Sequence, residues 1–264
     1  MRGRAAFALT NKGNPIRILL LDIETAPNLA YVWGLWKQNI AINQIENAGY
    51  VLCWAAKWLG ERDIKFCSVQ RRSAASMLGP IHGLLDKADA VVHYNGSSFD
   101  IPTLNKEFLV HDFKPPSPAK EIDLMLAVKD RFRFPSNKLD YVAQALNLGA
   151  KVRHEGHELW TKCMKGDAEA WRRMEDYNRH DVVLLEKLYA KVKPWIRRHP
   201  NVATHLGHMA CPACGSEDIK KSGWAYTAQM KYQRYACNDC GKWFRANVSE
   251  RHMKPAERVS EILA

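Results

Sequence analysis

No apolar run in the 264-residue sequence approaches the roughly 20 residues a helical membrane span needs, and no internal repeat or low-complexity stretch is present. Those absences argue against a membrane partner and against a solenoid or fibrous architecture. Acid is scarce relative to base: 28 Asp and Glu stand against 39 Lys and Arg, a formal charge of +11. An excess of that size points to a polyanionic partner without naming it. Cysteine is too unevenly spread for a disulfide framework. Four of the seven cluster as two pairs near the C-terminus, while Cys53, Cys67 and Cys163 are scattered and read as small buried apolar residues. That usage fits a reducing cytoplasm. Met1–Gly13 holds two arginines and the apolar patch Ala5–Leu9, too short for a signal-peptide core and without a cleavage site, so residues 1–15 read as a basic tail.

The hydrophobic fraction of 47% supports one mid-sized α/β domain plus something small. Ile16–Asp22 is almost wholly apolar, as a central strand should be. Gly49–Trp58 and Ile64–Val69 read as two strands joined by a hairpin at Gly60–Asp63, and Ala90–Tyr94 as another strand. Helices are expected over Ser73–Ala88, Phe99–Val110 with Ser98 as N-cap, and Lys138–Leu148. A long helix should run from about Asp167 to Lys193, before Pro194. His111–Lys120 is proline-rich and reads as a loop. The result is a mixed sheet flanked by helices over residues 16–199, a linker over 200–210, a cysteine module over 211–248 and a tail over 249–264.

Three acidic elements carry the chemistry. Asp22 and Glu24 alternate along the first strand and so share one face, at the strand end where ligand sites form in α/β sheets. Two like charges on one face repel unless a cation lies between them. Asp100 falls in the first turn of a helix after the turn His93–Ser98, where the helix dipole alone would also explain an acid. In the long helix, Met174, Tyr177, Asp181, Leu185, Leu188 and Val192 recur at steps of three or four, which turns Asp181 toward the core. A buried carboxylate needs a partner: a metal ion, or a basic side chain such as arginine. Tyr177 lies one turn earlier on the same face. Asp123, flanked by apolar residues, reads either as a further acid near the site or as a cap or turn residue; His154 and His157 read as surface residues or as supports behind the site, rather than as metal ligands.

Together these motifs resemble the DEDD exonuclease superfamily on the ribonuclease H-like fold. Asp22-x-Glu24 is similar to its first motif. Asn95 through Phe99-Asp100 is similar to the form found in proofreading exonuclease domains of family B DNA polymerases. Tyr177-x-x-x-Asp181 matches the tyrosine subgroup, since the histidine form would need His at 176, which is Asp176. Lys138–Val142 resembles a helix start in the same domains, and the rest resembles stand-alone exonuclease-like proteins of bacteriophages, whose site of action is the host cytoplasm. The resemblance implies 3′-to-5′ hydrolysis of nucleic acid, with single-stranded DNA favoured and RNA the alternative. It implies two Mg²⁺ or Mn²⁺ ions, both bridged by Asp22, one held by Glu24 and Asp181, the other supported by Asp100. It assigns water orientation to Tyr177 and contacts with the terminal nucleotides to Asn95 and Phe99. A structure-selective nuclease on the same fold, or a non-catalytic nucleic-acid-binding protein, is the competing reading.

The cysteine module consists of Cys211-Pro-Ala-Cys214-Gly and Cys237-Asn-Asp-Cys240-Gly. This spacing points to one structural, tetrahedral Zn²⁺ with no open position. It resembles the zinc ribbons of transposases and transcription-related proteins. Four thiolates on one Zn²⁺ lower the formal charge from +11 to about +9. Trp224, Tyr226, Tyr232 and Tyr235 alternate with Lys220, Lys221, Lys231 and Arg234, a pattern suited either to nucleic acid or to a small aromatic core. Oligomeric state is not legible.

Overall fold

The computed structural model describes residues 16–249; the basic N-terminal tail and the tail from residue 250 lie outside it. The described chain forms two compact units, dividing between Val192 and Lys193.

The first unit is built on a strand that is apolar on both faces up to its last four residues. This strand, β1 (Ile18–Thr25), buries Ile18 to Leu21. A short pair follows, β2 (Leu29–Ala30) against β3 (Ile45–Asn47). Then comes β4 (Val51–Trp58), buried at every position, and β5 (Lys65–Ser68). Full burial of β4 requires neighbours on both edges, and it has them: β1 and β5 both pair with it antiparallel. Lys57, on β4, is the cost of that burial, and its ammonium is neutralised by Glu186 at 2.6 Å.

Helix α1 (Ala74–Leu85) starts at Ser73, whose hydroxyl accepts the Ser76 N–H, and leads into β6 (Ala90–His93), parallel to β1. Helix α2 (Asp100–Val110) begins one residue later than expected. Its N-cap is Phe99, with no side-chain cap bond, so Ser98 does not cap it; the Ser98 N–H instead closes the preceding turn onto Asn95 O. The proline-rich segment is a loop to Ala119, but Lys120 opens a further strand, β7 (Lys120–Asp123), parallel to β6. The five strands lie in the order β5-β4-β1-β6-β7, a mixed sheet with β1 at its centre. The remaining helices are α3 (Leu124–Arg131), α4 (Leu139–Ala145), α5 (His157–Met164) and α6 (Ala168–Val192). Helix α6 packs along β1 and β4 through the expected stripe, every member of which is buried.

The second unit holds a three-stranded antiparallel sheet, β8 (Ile219–Tyr226), β9 (Lys231–Cys237) and β10 (Trp243–Arg245), with β9 central. Its core is small: Cys211, Ala213 and Cys237 form a cluster with Cys214, Ile219, Cys240 and Phe244 packed around them, and Val202, Ala210, Tyr235 and Ala236 are also buried.

Candidate functional site

The alternation of β1 sends Asp22 and Glu24 to the face on which α6 lies, and α6 supplies Asp181 from its buried stripe. One carboxylate oxygen from each of the three comes within 4.8 Å of the others. Strand alternation alone puts Asp22 beside Glu24, while tertiary packing of the helix onto the strand brings in Asp181.

Each acid is held by a different partner. Asp22 accepts the Asn178 side-chain amide at 2.6 Å. Glu24 accepts the Trp160 indole N–H at 3.1 Å, from α5. One Asp181 oxygen, Oδ2, takes the Lys151 ammonium, while Oδ1 is buried with no hydrogen-bond partner among the described residues. Asp100 stands apart from the three-acid group: it is buried and its Oδ1 accepts the Ile23 N–H at 3.2 Å, which pins it under β1 between the two acidic positions.

Burial and crowding oppose ionisation of these carboxyls. Desolvation and then repulsion from Glu24, Asp181 and Asp100 lift Asp22 well above the usual carboxylate range. Burial pushes Glu24 up to about 8 and Asp100 up to about 7, the Lys151 ammonium working against both rises. Burial also raises Asp181, Lys151 again opposing. An assembly of hard carboxylate oxygens that cannot all ionise together, with one of them unpartnered and buried, fits a divalent cation better than it fits itself.

That crowding fixes the behaviour expected without metal. A carboxyl whose pKa is raised on folding binds protons that the unfolded chain, at about 4, has released. The stability it contributes is full below the unfolded value and is lost as pH rises through the folded one. The Glu24 and Asp100 values make that loss begin near pH 4 and end at about pH 7 to 8. In chelator, the melting temperature should therefore fall between about pH 5 and 8 and level off above that, and Mn²⁺ should flatten the fall. A chelated melting temperature that rises over the same interval would contradict it.

Tyr177 lies beside the acids inside a ring of aromatic side chains. The His154 and Trp160 rings meet it edge-on at 4.9 and 6.0 Å between centroids. Lys151 donates to its oxygen at 3.0 Å and lies 5.1 Å from its ring centre. Burial raises the phenol well above its normal range, so it stays protonated and acts as a hydrogen-bond donor. Burial works against charge on Lys151, but Asp181 and Tyr177 outweigh it and keep the ammonium charged. The backbone N–H of Lys151 is itself fixed by Asp140 at 2.8 Å.

The turn leading to Asp100 is braced from below. Asn95 adopts a positive φ of 67°, tolerable for asparagine, and its N–H donates to Asp123 at 3.0 Å. Position 96 has to be glycine, since a Cβ there would lie 2.3 Å from His93 Cγ. Asp123 also takes the Ser97 N–H and caps α3 through Met125 and Leu126. Of its two readings, the cap is the one the geometry supports. Phe99 is 44% exposed, on a cavity of about 420 Å³ whose lining includes Thr25, Ala26, Asn28, Gly49 and Lys106.

Sequence reasoning missed Lys151, Trp160 and Asn178. Asn178 alone had a local signal, a polar residue three positions before Asp181 on the same buried helix face. His154 packs against Tyr177, the supporting one of the two places read for it.

In the second unit the four cysteine sulfurs lie together, Cys211 to Cys240 at 3.6 Å and Cys214 to Cys237 at 3.7 Å. Gly215 and Gly241, just after each pair, have φ near +76° and +77°, the conformation that returns the chain toward the sulfurs. Thiol donation from Cys214 and Cys240 lowers Cys211 to about 4. Four soft sulfurs in this arrangement fit Zn²⁺. The structure divides the aromatic residues. Tyr235 stacks on Phe244 as core, whereas Trp224, Tyr232 and Trp243 each carry a cation, from Lys231, Arg245 and Arg234 at 4.3, 4.0 and 5.0 Å.

Among the described residues no helix is long and apolar enough to cross a membrane. No curated protein matches the chain. Among solved structures it is similar to the family B DNA polymerase from the hyperthermophilic archaeon Pyrobaculum calidifontis, at 14% identity and a TM-score of 0.47, over 81% of this chain and 31% of that one. A family model described as RNase_H superfamily matches residues 19–193, from the second residue of β1 to just past the end of α6. That match takes in both elements that bring the three acids together, and the chain belongs to the RNase_H superfamily.

Proposed function

We propose that this chain is a metal-dependent 3′-to-5′ exonuclease acting on nucleic acid, with single-stranded DNA the favoured substrate. The observation that carries the proposal is the convergence of Asp22, Glu24 and Asp181 oxygens within 4.8 Å, beside a protonated tyrosine. Superfamily membership supports a nuclease-type chemistry. The polarity and the preference for DNA follow from the likeness of the three motifs to DEDD exonucleases of the tyrosine form.

In this reading Asp22, Glu24 and Asp181 hold one divalent cation, and Asp22 with Asp100 a second. Two such ions supply an activated water and neutralise charge on the leaving oxygen. The chain does the rest. Lys151 occupies an acceptor position on the Tyr177 oxygen, so the phenolic O–H is left to donate toward Asp181 or toward an attacking water. The His154 and Trp160 rings hold the phenol in that orientation. Phe99 and Asn95 receive the terminal nucleotides, Phe99 by stacking from the wall of its cavity. The cysteine module is a structural zinc site that adds binding rather than chemistry.

Tyr177→Phe keeps the ring packing and removes one hydrogen bond, so single-turnover hydrolysis should slow by about 10²-fold with metal affinity retained. An unchanged rate would reduce Tyr177 to packing. Digestion of 5′-labelled and 3′-labelled DNA and RNA tests the function itself. A ladder shortened one nucleotide at a time on the 5′-labelled DNA, with immediate release of label from the 3′-labelled strand, is the expected result. Internal cuts first, or RNA cleaved in preference to DNA, would replace this reading with one of its alternatives.

A further inference from the structure

A cluster of basic side chains lies at the β5 edge of the same sheet. Arg71 and Arg72, in the turn after β5, and Arg172, in the first turns of α6, line a cleft of about 340 Å³. Phe66, Ser68, Gln70 and Trp171 also form part of its wall. None of the three guanidiniums has a salt-bridge partner among the described residues, and Asp167 only feels the charge of Arg172. The two acids nearby are already engaged. Glu175, on the rim, is paired with Arg179 at 2.7 Å, and Asp167 caps α6 through the Glu169 and Ala170 N–H groups. The helix end is thus satisfied, and the cleft's unspent polar capacity belongs to the arginines.

From this cleft we infer a phosphate-binding subsite, which holds the polynucleotide backbone away from the bond that is cleaved. The inference rests on the proposed nuclease reading for the identity of its ligand. The chemistry of the wall selects phosphate over base. Guanidinium groups fork onto phosphate oxygens and stay charged at any working pH. The aromatic rings offer little to stack on: Trp171 is buried, and Phe66 is covered by the Arg179 guanidinium at 5.7 Å from its centre. Binding here should be indifferent to sequence.

Position also fits. The register across the sheet runs Glu24 to Cys53 on β4, then Cys53 to Ser68 on β5. Two inter-strand steps put Ser68, on the cleft wall, about 10 Å from Glu24. A strand whose end lies at the acids has only to be a few nucleotides long to reach it.

The test is binding measured in chelator, where hydrolysis plays no part, by fluorescence anisotropy of a labelled long single-stranded oligonucleotide and a labelled trinucleotide. The variant is Arg71→Ala/Arg72→Ala/Arg172→Ala, with the corresponding triple lysine variant beside it and melting temperature as a control for folding. The alanine variant should bind the long oligonucleotide about tenfold more weakly. Its slope of log affinity against log salt should be shallower by about 2, the contribution of three single-strand phosphate contacts. The trinucleotide should bind both forms alike, and lysine should restore most of the salt slope. Unchanged binding of the long oligonucleotide would overturn the subsite, as would equal loss on the trinucleotide. Inorganic phosphate supplies the second arm: if it displaces the long oligonucleotide from wild-type protein as effectively as unlabelled oligonucleotide does, the cleft is a site for free phosphate and the backbone assignment fails. Cleavage of the trinucleotide, followed separately with Mg²⁺, reports on the acids alone, so a failed nuclease reading and a failed subsite give different results.

Discussion

Asp22→Asn and Asp181→Asn are each expected to lower hydrolysis by at least about 10³-fold while the protein still folds. Cations at such a site supply several kcal/mol of charge stabilisation, and each 1.36 kcal/mol is a factor of about ten in rate. The amide keeps the shape of the side chain but cannot carry the charge that a divalent cation requires. Folding should survive for a reason visible in the site: Asp22 is surrounded by groups that raise it well above the carboxylate range, so a neutral side chain there relieves repulsion. Asp181 is less forgiving, because its neutral variant leaves the Lys151 ammonium with Tyr177 as its remaining partner. The comparison of digestion and melting in both variants decides the matter. Near wild-type turnover in either, with an unchanged melting temperature, would remove that residue from the metal site.

The other large effect concerns the cysteine module. Cys237→Ser should abolish Zn²⁺ binding and unfold the sheet formed by β8, β9 and β10. Its central cluster is Cys211, Ala213 and Cys237, and beyond these only Val202, Ala210, Tyr235 and Ala236 are buried hydrophobics among the described residues from 200 on, too little apolar surface to hold three strands together. Metal binding and folding are then one event, as in other small zinc modules, where apparent binding energies of about 10–16 kcal/mol appear as folding energy. Native mass spectrometry should show one zinc per wild-type chain and none in the variant. Limited proteolysis should cut the variant within residues 211–245 and spare residues 16–192. A variant that resists proteolysis as wild type does would show the sheet to be self-supporting.

The sequence carried those parts of the site that obey a local period. Asp22 and Glu24 share a face because strands alternate, and Asp181 turns inward because its helix repeats every 3.6 residues, so the residue pattern alone made both legible. The central strands were legible for the same reason, since long apolar runs leave few alternatives. What escaped was short or tertiary. Strand β7, Lys-Glu-Ile-Asp, is four residues at a sheet edge with its first two exposed, and nothing in it outweighs the prolines before it. Helix α5 buries only Leu159 and Cys163 in eight residues, too few for a helical period to stand out. Lys151 lies in an irregular segment, and its contact with Asp181 spans 30 residues of chain. No local pattern could announce it, although a buried Asp181 did call for a partner, and the partner proved to be lysine rather than arginine. Ser98 does not cap because it belongs to the turn before the helix, which starts at Asp100 with Phe99 at the N-cap position.

The most direct measurement is the cation dependence of hydrolysis by the wild-type chain. Protein stripped with chelator is incubated with 5′-labelled single-stranded DNA, first without metal and then with Mg²⁺ or Mn²⁺ restored. If the three converging carboxylates form a hydrolytic metal site, no product forms in chelator and stepwise shortening from the 3′ end appears with either ion. Hydrolysis that persists in chelator, or none with either ion, would contradict it.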